Sequence, residues 1–506
     1  MAFRPDRALS VVMLASAALS CGTEPPRLAG LKVVAGDQQI GIAGRPLHDP
    51  LEVEADDDQG NPIGGVHLRF QVTLGGGQVS PAEATTGDDG RVSVEFTLGG
   101  NPGTPQEVRA AGSDGEISVS FTATATGVPT SVRLQAGNSQ GAVAGGPVAV
   151  PPAVRVLDGA GQGVAGVAVR FSVTSGGGTL TDETTSTGAD GIAAVGAWRV
   201  GASGVNILEA VLPDEALAGE PVRFIATTLS SPFNIVVRFL SEPTFEEALA
   251  FAEAEVRWEQ IIRGDLSNGS VNVPEGRCGT GTPALNEEVD DVLILADFRD
   301  IDGPGNVLAQ AGPCLIRDLN TDGQLEVGEL PGVGVMIFDA EDLDFLEQNN
   351  VLAATILHEM GHVLGIGTLW PSIGLLADPA TGGPPGADPH FTGTKAVTAF
   401  DAAGGAAYPD GKVPVENTGG PGTADSHWRE SVFDAELMTG FVDLSGNPLS
   451  AVTAASLADQ GYQVDQSKAD AYQLPGGSLR ADTSGPSVAL PNDVLRLPIG
   501  GMGQVR

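Results

Sequence analysis

The stretch Ile356-Leu357-His358-Glu359-Met360-Gly361-His362-Val363-Leu364-Gly365 decides the reading of this chain. Residues four apart share one face of an α-helix, so His358 and His362 can each aim a ring nitrogen at a single metal ion. Glu359 then stands beside the metal without being a ligand, where a carboxylate can take a proton from a water held there. That layout belongs to a zinc hydrolase. Two histidines merely packed in a helix are a poorer account, because the chain has only six histidines in all. A catalytic zinc keeps three protein ligands and one open position. The third ligand must come from elsewhere, and only His390 and His427 lie downstream.

Gly365, three residues after His362, extends the motif to the start of the metzincin pattern, where a glycine lets the chain turn sharply off the helix. Most metzincins place the third histidine almost at once, yet Ile366 to Leu369 contains none. Instead Asp425-Ser426-His427-Trp428-Arg429-Glu430 places a histidine 65 residues after His362, and Asp434-Ala435-Glu436-Leu437-Met438-Thr439-Gly440 follows. This arrangement resembles the leishmanolysin-like metallopeptidases, which carry a long insertion before the third histidine, and the second segment resembles their Met-turn. The resemblance runs through much of residues 232–475 and is strongest at His358 to Trp370 and Val415 to Gly440. It implies His427 rather than His390 as third zinc ligand, with Met438 as the hydrophobic floor beneath the metal. It also implies endopeptidase cleavage of proteins, with a zinc-activated water and Glu359 as general base.

At 506 residues the chain is long enough for several domains. Compared with itself it shows a repeat. Val66-His67-Leu68-Arg69-Phe70-Gln71-Val72-Thr73 recurs as Val167-Ala168-Val169-Arg170-Phe171-Ser172-Val173-Thr174, an offset of 101 residues, and three glycines follow each copy. Thr86-Gly87-Asp88-Asp89-Gly90 recurs as Thr187-Gly188-Ala189-Asp190-Gly191 at the same offset. Period-2 apolar alternation with turns rich in Gly, Asp and Asn predicts β-sandwiches over 31–126 and 131–229. They resemble bacterial immunoglobulin-like domains of the invasin and intimin kind, for which spacer is the default role. The expected fold class is therefore multidomain: two all-β immunoglobulin-like sandwiches, then an α+β zincin (metzincin) catalytic domain over 232–475. Within the latter, Thr244-Phe245-Glu246-Glu247 forms a capping box that predicts a helix from Ala248 to Arg263, and Val292–Ala296 and Val333–Phe338 read as strands. The tail, 476–506, has no role readable in its sequence.

The formal net charge of −38, from 64 acidic and 26 basic residues, disfavours nucleic acid and anionic lipid headgroups as partners. Residues 1–21 carry Arg4 and Arg7, an apolar run from Ala8 to Leu19 and then Ser20-Cys21, the form of an export signal. Ala18-Leu19-Ser20-Cys21 resembles a bacterial lipoprotein signal, which implies lipidation at Cys21 as the one membrane attachment; full secretion after ordinary cleavage is the alternative. Lipidation would leave Cys278 and Cys314 as a pair for an oxidising compartment. Residues 318–329 fit the twelve-position EF-hand loop, with Asp318, Asn320, Asp322, Gln324, Glu326 and Glu329 offering oxygens and Gly323 at the sixth position. Structural Ca²⁺ is the expectation there, although the flanking segments do not read as paired helices.

The functional expectation is an exported zinc metalloendopeptidase acting on protein or peptide substrates. Two alternatives stand beside it. One is a surface adhesin whose peptidase domain is inactive or secondary; the other is a zinc exopeptidase or amidase acting on cell-wall peptides.

Overall fold

The computed structural model describes residues 27–213, 216–317, 324–383, 386–408, 412–420, 422–475 and 486–504. The described residues form two compact units, one holding 27–130 with 156–167 and 187–191, the other the remaining described residues.

In the first unit, two sheets face each other. Gly30–Ala35, Leu51–Asp56, Arg91–Thr97 and Gln78–Ser80 form one, in that order; Gln39–Ile42, Ser118–Thr126, Pro105–Gly112, His67–Leu74 and Glu83–Thr85 form the other. Alternate residues point inward, as the pleat requires, so Val53, Phe70, Val94, Phe96, Val108 and Phe121 are buried between the sheets. The same five-strand order returns in the second unit as Gln140–Val143, Val222–Leu229, Gly204–Val211, Ala168–Ser175 and Thr184–Ser186. The repeat extends to single hydrogen bonds. Thr86 donates its hydroxyl to the Ile63 carbonyl at 2.9 Å, and Thr187 donates to Val164 at 2.6 Å. Both sandwiches are thus all-β and immunoglobulin-like.

The rest of the second unit is α+β. A seven-stranded mixed sheet runs in the order Ile235–Phe239, Val292–Arg299, Pro331–Asp339, Ala309–Arg317, Gly500–Gln504, Gly269–Val273, Leu285–Val289. The first three strands are parallel, and Ala309–Arg317 runs antiparallel to Pro331–Asp339. Pro331–Asp339 is buried along its whole length because both faces of the sheet are covered. Ile294, Ala296, Met336 and Phe338 face a helical layer; Leu293, Leu295, Val333 and Val335 face a smaller cluster around Cys278 and Cys314. Those cysteines are joined by a disulfide with Cα atoms 5.4 Å apart.

The helical layer holds Phe245–Ile261 and Leu352–Val363. Thr244 caps the first through a reciprocal box: its hydroxyl accepts from the Glu247 N–H, and the Glu247 carboxylate accepts from the Thr244 N–H. The second helix buries Ile356, Met360 and Val363 in the main core, which leaves His358, Glu359 and His362 on its neighbouring face. Strand Gly500–Gln504 belongs to the tail, so the tail is a working part of this sheet, with Met502 buried in the disulfide cluster. Among the described residues, no helix is long and apolar enough to cross a membrane.

Candidate metal centre

Two segments bring the histidines together. His358 and His362 come from helix Leu352–Val363, and His427 comes from the loop after Gly422. Their Nε2 atoms lie 3.0 Å (His358–His362), 3.0 Å (His362–His427) and 3.2 Å (His358–His427) apart. All three side chains are fully buried. Two glycines permit this approach. Gly365 has φ +105°, a backbone conformation that L side chains rarely adopt, and carries the chain off the helix; Gly367, at φ +70°, lies against the Ser426 backbone where no Cβ would fit.

Each ring is oriented by a backbone carbonyl. His358 Nδ1 donates to Leu437 at 2.7 Å, His362 Nδ1 to Ile366 at 2.8 Å, and His427 Nδ1 to Thr423 at 2.9 Å. With the proton fixed on Nδ1, each Nε2 presents a lone pair to the common centre. Burial holds the His362 pKa down to about 4, so that ring is neutral at physiological pH.

A fourth group completes the cluster. Asp493 Oδ2, from the tail, lies 3.2 Å from His358 Nε2, 3.7 Å from His362 Nε2 and 3.0 Å from His427 Nε2, on a carboxylate that is 1% exposed. Burial acts to raise the Asp493 pKa, but the imidazoles beside it outweigh that and hold it well below the ordinary carboxylate range. Burial also acts to lower His427, and the Asp493 charge and hydrogen bond overcome it to raise that ring. The Asp493 carboxylate and the three ring nitrogens repel unless a positive charge, either a proton on His427 Nε2 or a metal ion, lies between them. Ligands at about 2.0 Å in a tetrahedron stand about 3.3 Å from each other, close to the separations found here. The donor set of imidazoles and one carboxylate suits a zinc ion.

Glu359 is fully buried, and neither carboxylate oxygen has a hydrogen-bond partner among the described residues. Burial, with the Asp493 charge added, raises its pKa well above the ordinary value. Met438, also fully buried, lies against Gly361 of helix Leu352–Val363. It fits because residue 361 is glycine: a Cβ there would come within 2.8 Å of the Met438 sulfur and 3.2 Å of the Trp258 ring. Glu436 holds this turn, accepting from the Met438 N–H at 2.7 Å, the Ser450 N–H at 3.1 Å and the Thr453 hydroxyl at 2.5 Å. Trp428 ties the His427 segment to the same turn, its N–H donating to the Met438 carbonyl at 2.9 Å and its indole to Thr453 at 2.8 Å.

The other sequence-derived candidates lie elsewhere. His390 is in strand His390–Phe391, with Nδ1 donating to the Asp388 carbonyl, and is outside the cluster. Of the loop expected to bind calcium, Asp318, Asn320 and Asp322 lie outside the described residues, as does Cys21. Glu329, at the twelfth position, accepts from the Glu326 N–H at 3.0 Å. Asp493 and Glu436 had no role in the sequence reading. Glu436 stands within the Met-turn segment, but nothing in the composition around Asp493 distinguishes it.

Three imidazoles on and beside an H-E-x-x-H helix, above a buried methionine turn, define a metallopeptidase domain of the zincin class. Residues 268–478 match the family model described as leishmanolysin, so this part of the chain is leishmanolysin-like. None of the curated proteins matches the chain. Among solved structures, the D0-D1 domain of intimin is similar over 40% of this chain and 99% of its own, at 20% identity and a TM-score of 0.17. The Escherichia coli adhesin FdeC is similar over 40% of this chain and 66% of its own, at 22% identity and a TM-score of 0.22. Invasin, a bacterial integrin-binding protein, aligns over 58% of this chain and 53% of its own, at 14% identity and a TM-score of 0.19.

Proposed function

We propose that residues 232–475, with the tail segment that completes their sheet, hydrolyse peptide bonds within proteins as a zinc endopeptidase. The observation that carries this reading is the convergence of the His358, His362 and His427 Nε2 atoms beside a buried Glu359 that has no hydrogen-bond partner for its carboxylate among the described residues. Zinc, when bound by those three rings, supplies Lewis acidity that lowers the pKa of a water and polarises the scissile carbonyl. Glu359 accepts the proton of the attacking water and hands it to the leaving amine nitrogen. The carbonyls of Leu437, Ile366 and Thr423 hold the ligand rings in the tautomer that leaves Nε2 free.

The sandwiches over 31–126 and 131–229 serve as spacers that hold this domain away from its attachment. Export, with lipid on Cys21 or full secretion, accords with the Cys278–Cys314 disulfide, since such bonds persist in oxidising compartments. Calcium at 318–329 rests on the sequence pattern alone.

The test compares zinc content and casein cleavage in an Asp493→Ala background, with and without Glu359→Ala. Both proteins should hold one zinc at this site, and removal of Glu359 should cost about 100-fold to 10,000-fold in rate. Equal cleavage by the two would remove Glu359 from the mechanism, and no cleavage by either with zinc bound would reject the peptidase reading.

A further inference from the structure

We propose that the C-terminal tail is a built-in inhibitor: Asp493 fills the fourth coordination position of the metal centre, and the residues around it cover the sheet edge along which an extended substrate would lie. The inference rests on the zinc-peptidase reading and deepens it by naming how the site is controlled.

Geometry carries the first half. Oδ2 of Asp493 and the three Nε2 atoms define six separations, all between 3.0 and 3.7 Å, so the four atoms stand at the corners of a near-regular tetrahedron. Zinc sites with four protein ligands are closed, whereas catalytic ones keep a corner for water and substrate. With Asp493 in place the corner is taken. His358, Glu359, His362 and His427 are then all fully buried, which leaves a substrate carbonyl no approach.

The backbone path carries the second half. Strand Ser487–Ala489 pairs with Phe441–Asp443 just beyond the Met-turn, and the Leu490 N–H donates to the Gly440 carbonyl at 3.0 Å. Asn492 then takes a left-handed conformation, φ +54°, packed against Gly422, and this turn delivers Asp493 into the cluster. The Ala311 N–H donates to the Asp493 carbonyl and the Leu495 N–H donates to the Ala311 carbonyl, both at 2.8 Å. Gln310 donates to the Asn492 carbonyl at 2.9 Å, and Arg496 to the Ser426 hydroxyl at 3.0 Å. Ala309–Arg317 is the strand beside the active-site helix, and an extended peptide would bind by pairing with the backbone groups that the tail now satisfies. One segment therefore blocks both the metal and the peptide cradle. Strand Gly500–Gln504 anchors it from the far side, so displacement of 490–496 would open the site without dismantling the sheet.

The test uses the full chain, as wild type, Asp493→Ala and the near-isosteric Asp493→Asn, each loaded with Co²⁺ in place of zinc. The visible spectrum reports the ligand set, and acetohydroxamate, a small bidentate metal ligand, probes access. Asp493→Ala should change the cobalt spectrum and bind acetohydroxamate at least about tenfold more tightly than wild type, because apparent affinity scales with the open fraction. Asp493→Asn, which keeps the packing but loses the charge, should fall between them. Zinc-loaded Asp493→Ala should cleave casein at least about tenfold faster than wild type, by the same scaling. Identical cobalt spectra and equal acetohydroxamate affinity in all three proteins would overturn the inhibitor assignment, even if casein is cleaved. Opened access in Asp493→Ala without cleavage would leave the tail as the blocking group and reject the peptidase reading instead.

Discussion

Glu259 lies at the end of helix Phe245–Ile261, 1% exposed, with Oε1 accepting from the Ile235 N–H at 3.0 Å and Oε2 without a hydrogen-bond partner among the described residues. Burial, with the Asp291 charge as a lesser contribution, raises its pKa from 4.5 to about 7. The sign follows from proton binding. Between these two values the folded chain holds a proton that the unfolded chain has lost, so stability falls as pH rises from about 4.5 to about 7 and is level above. The gap is equivalent to about 3 kcal/mol. Glu259→Gln keeps the acceptor for Ile235 and replaces the buried charge with a neutral amide, so it should remove this pH dependence. Relative to wild type, the variant should gain about 3 kcal/mol between pH 4.5 and pH 8, or about 6–12 °C in the melting temperature of a domain this size. Urea titration followed by tryptophan fluorescence is the assay, because Trp258, Trp370 and Trp428 are buried in this domain and only Trp198 lies outside it. Saturating zinc in every sample keeps the metal centre from contributing its own pH dependence. A difference between variant and wild type that stays constant from pH 4.5 to 8 would refute a buried, uncompensated Glu259 carboxylate.

Gly361→Ala should cost about 1–3 kcal/mol through overpacking and weaken zinc retention, since the new methyl meets the Met438 sulfur and the Trp258 ring; chelator competition reads the second effect, and unchanged retention would argue against a fixed methionine floor. Replacing both Cys278 and Cys314 with Ala should destabilise the domain by about 4 kcal/mol on the loop-entropy relation for a separation of 36 residues. Urea unfolding measures that cost, and a loss below about 1 kcal/mol would mean that strand packing alone constrains the unfolded loop.

Much of the fold was legible because it depends on local periodicity. The offset of 101 residues exposed the sandwiches, and the capping box at Thr244 marked the start of the helix that packs beneath the active site. The strands at 292–299 and 331–339 were visible as apolar runs because both faces of that sheet are covered. The helix was expected to reach Arg263 and ends at Ile261, where the Ile262 backbone is already extended. Strand Gly500–Gln504 was not legible: five residues, Gly-Gly-Met-Gly-Gln, have almost no strand propensity, and only the free edge of Ala309–Arg317 makes them one.

The histidine triad and its orienting groups differ in the same way. His358 and His362 are readable because helix geometry fixes their relation across one turn. His427 can be reached only through a motif, because 65 residues and several elements separate it from His362. The groups that decide what the triad can do come from still less local information, since the carbonyls of Leu437, Ile366 and Thr423 are backbone atoms that any residue would supply. Their placement depends on turns, and those turns depend on Glu436 and on glycines whose need appears only when two segments meet. Asp493 is the extreme case. Its carboxylate acquires chemical meaning because a left-handed Asn492 and a paired sheet edge carry it to the cluster, and none of those constraints is visible in the residues next to it. A catalytic motif therefore identifies the ligands a site can use, while the backbone of distant segments decides whether the last position is open or closed.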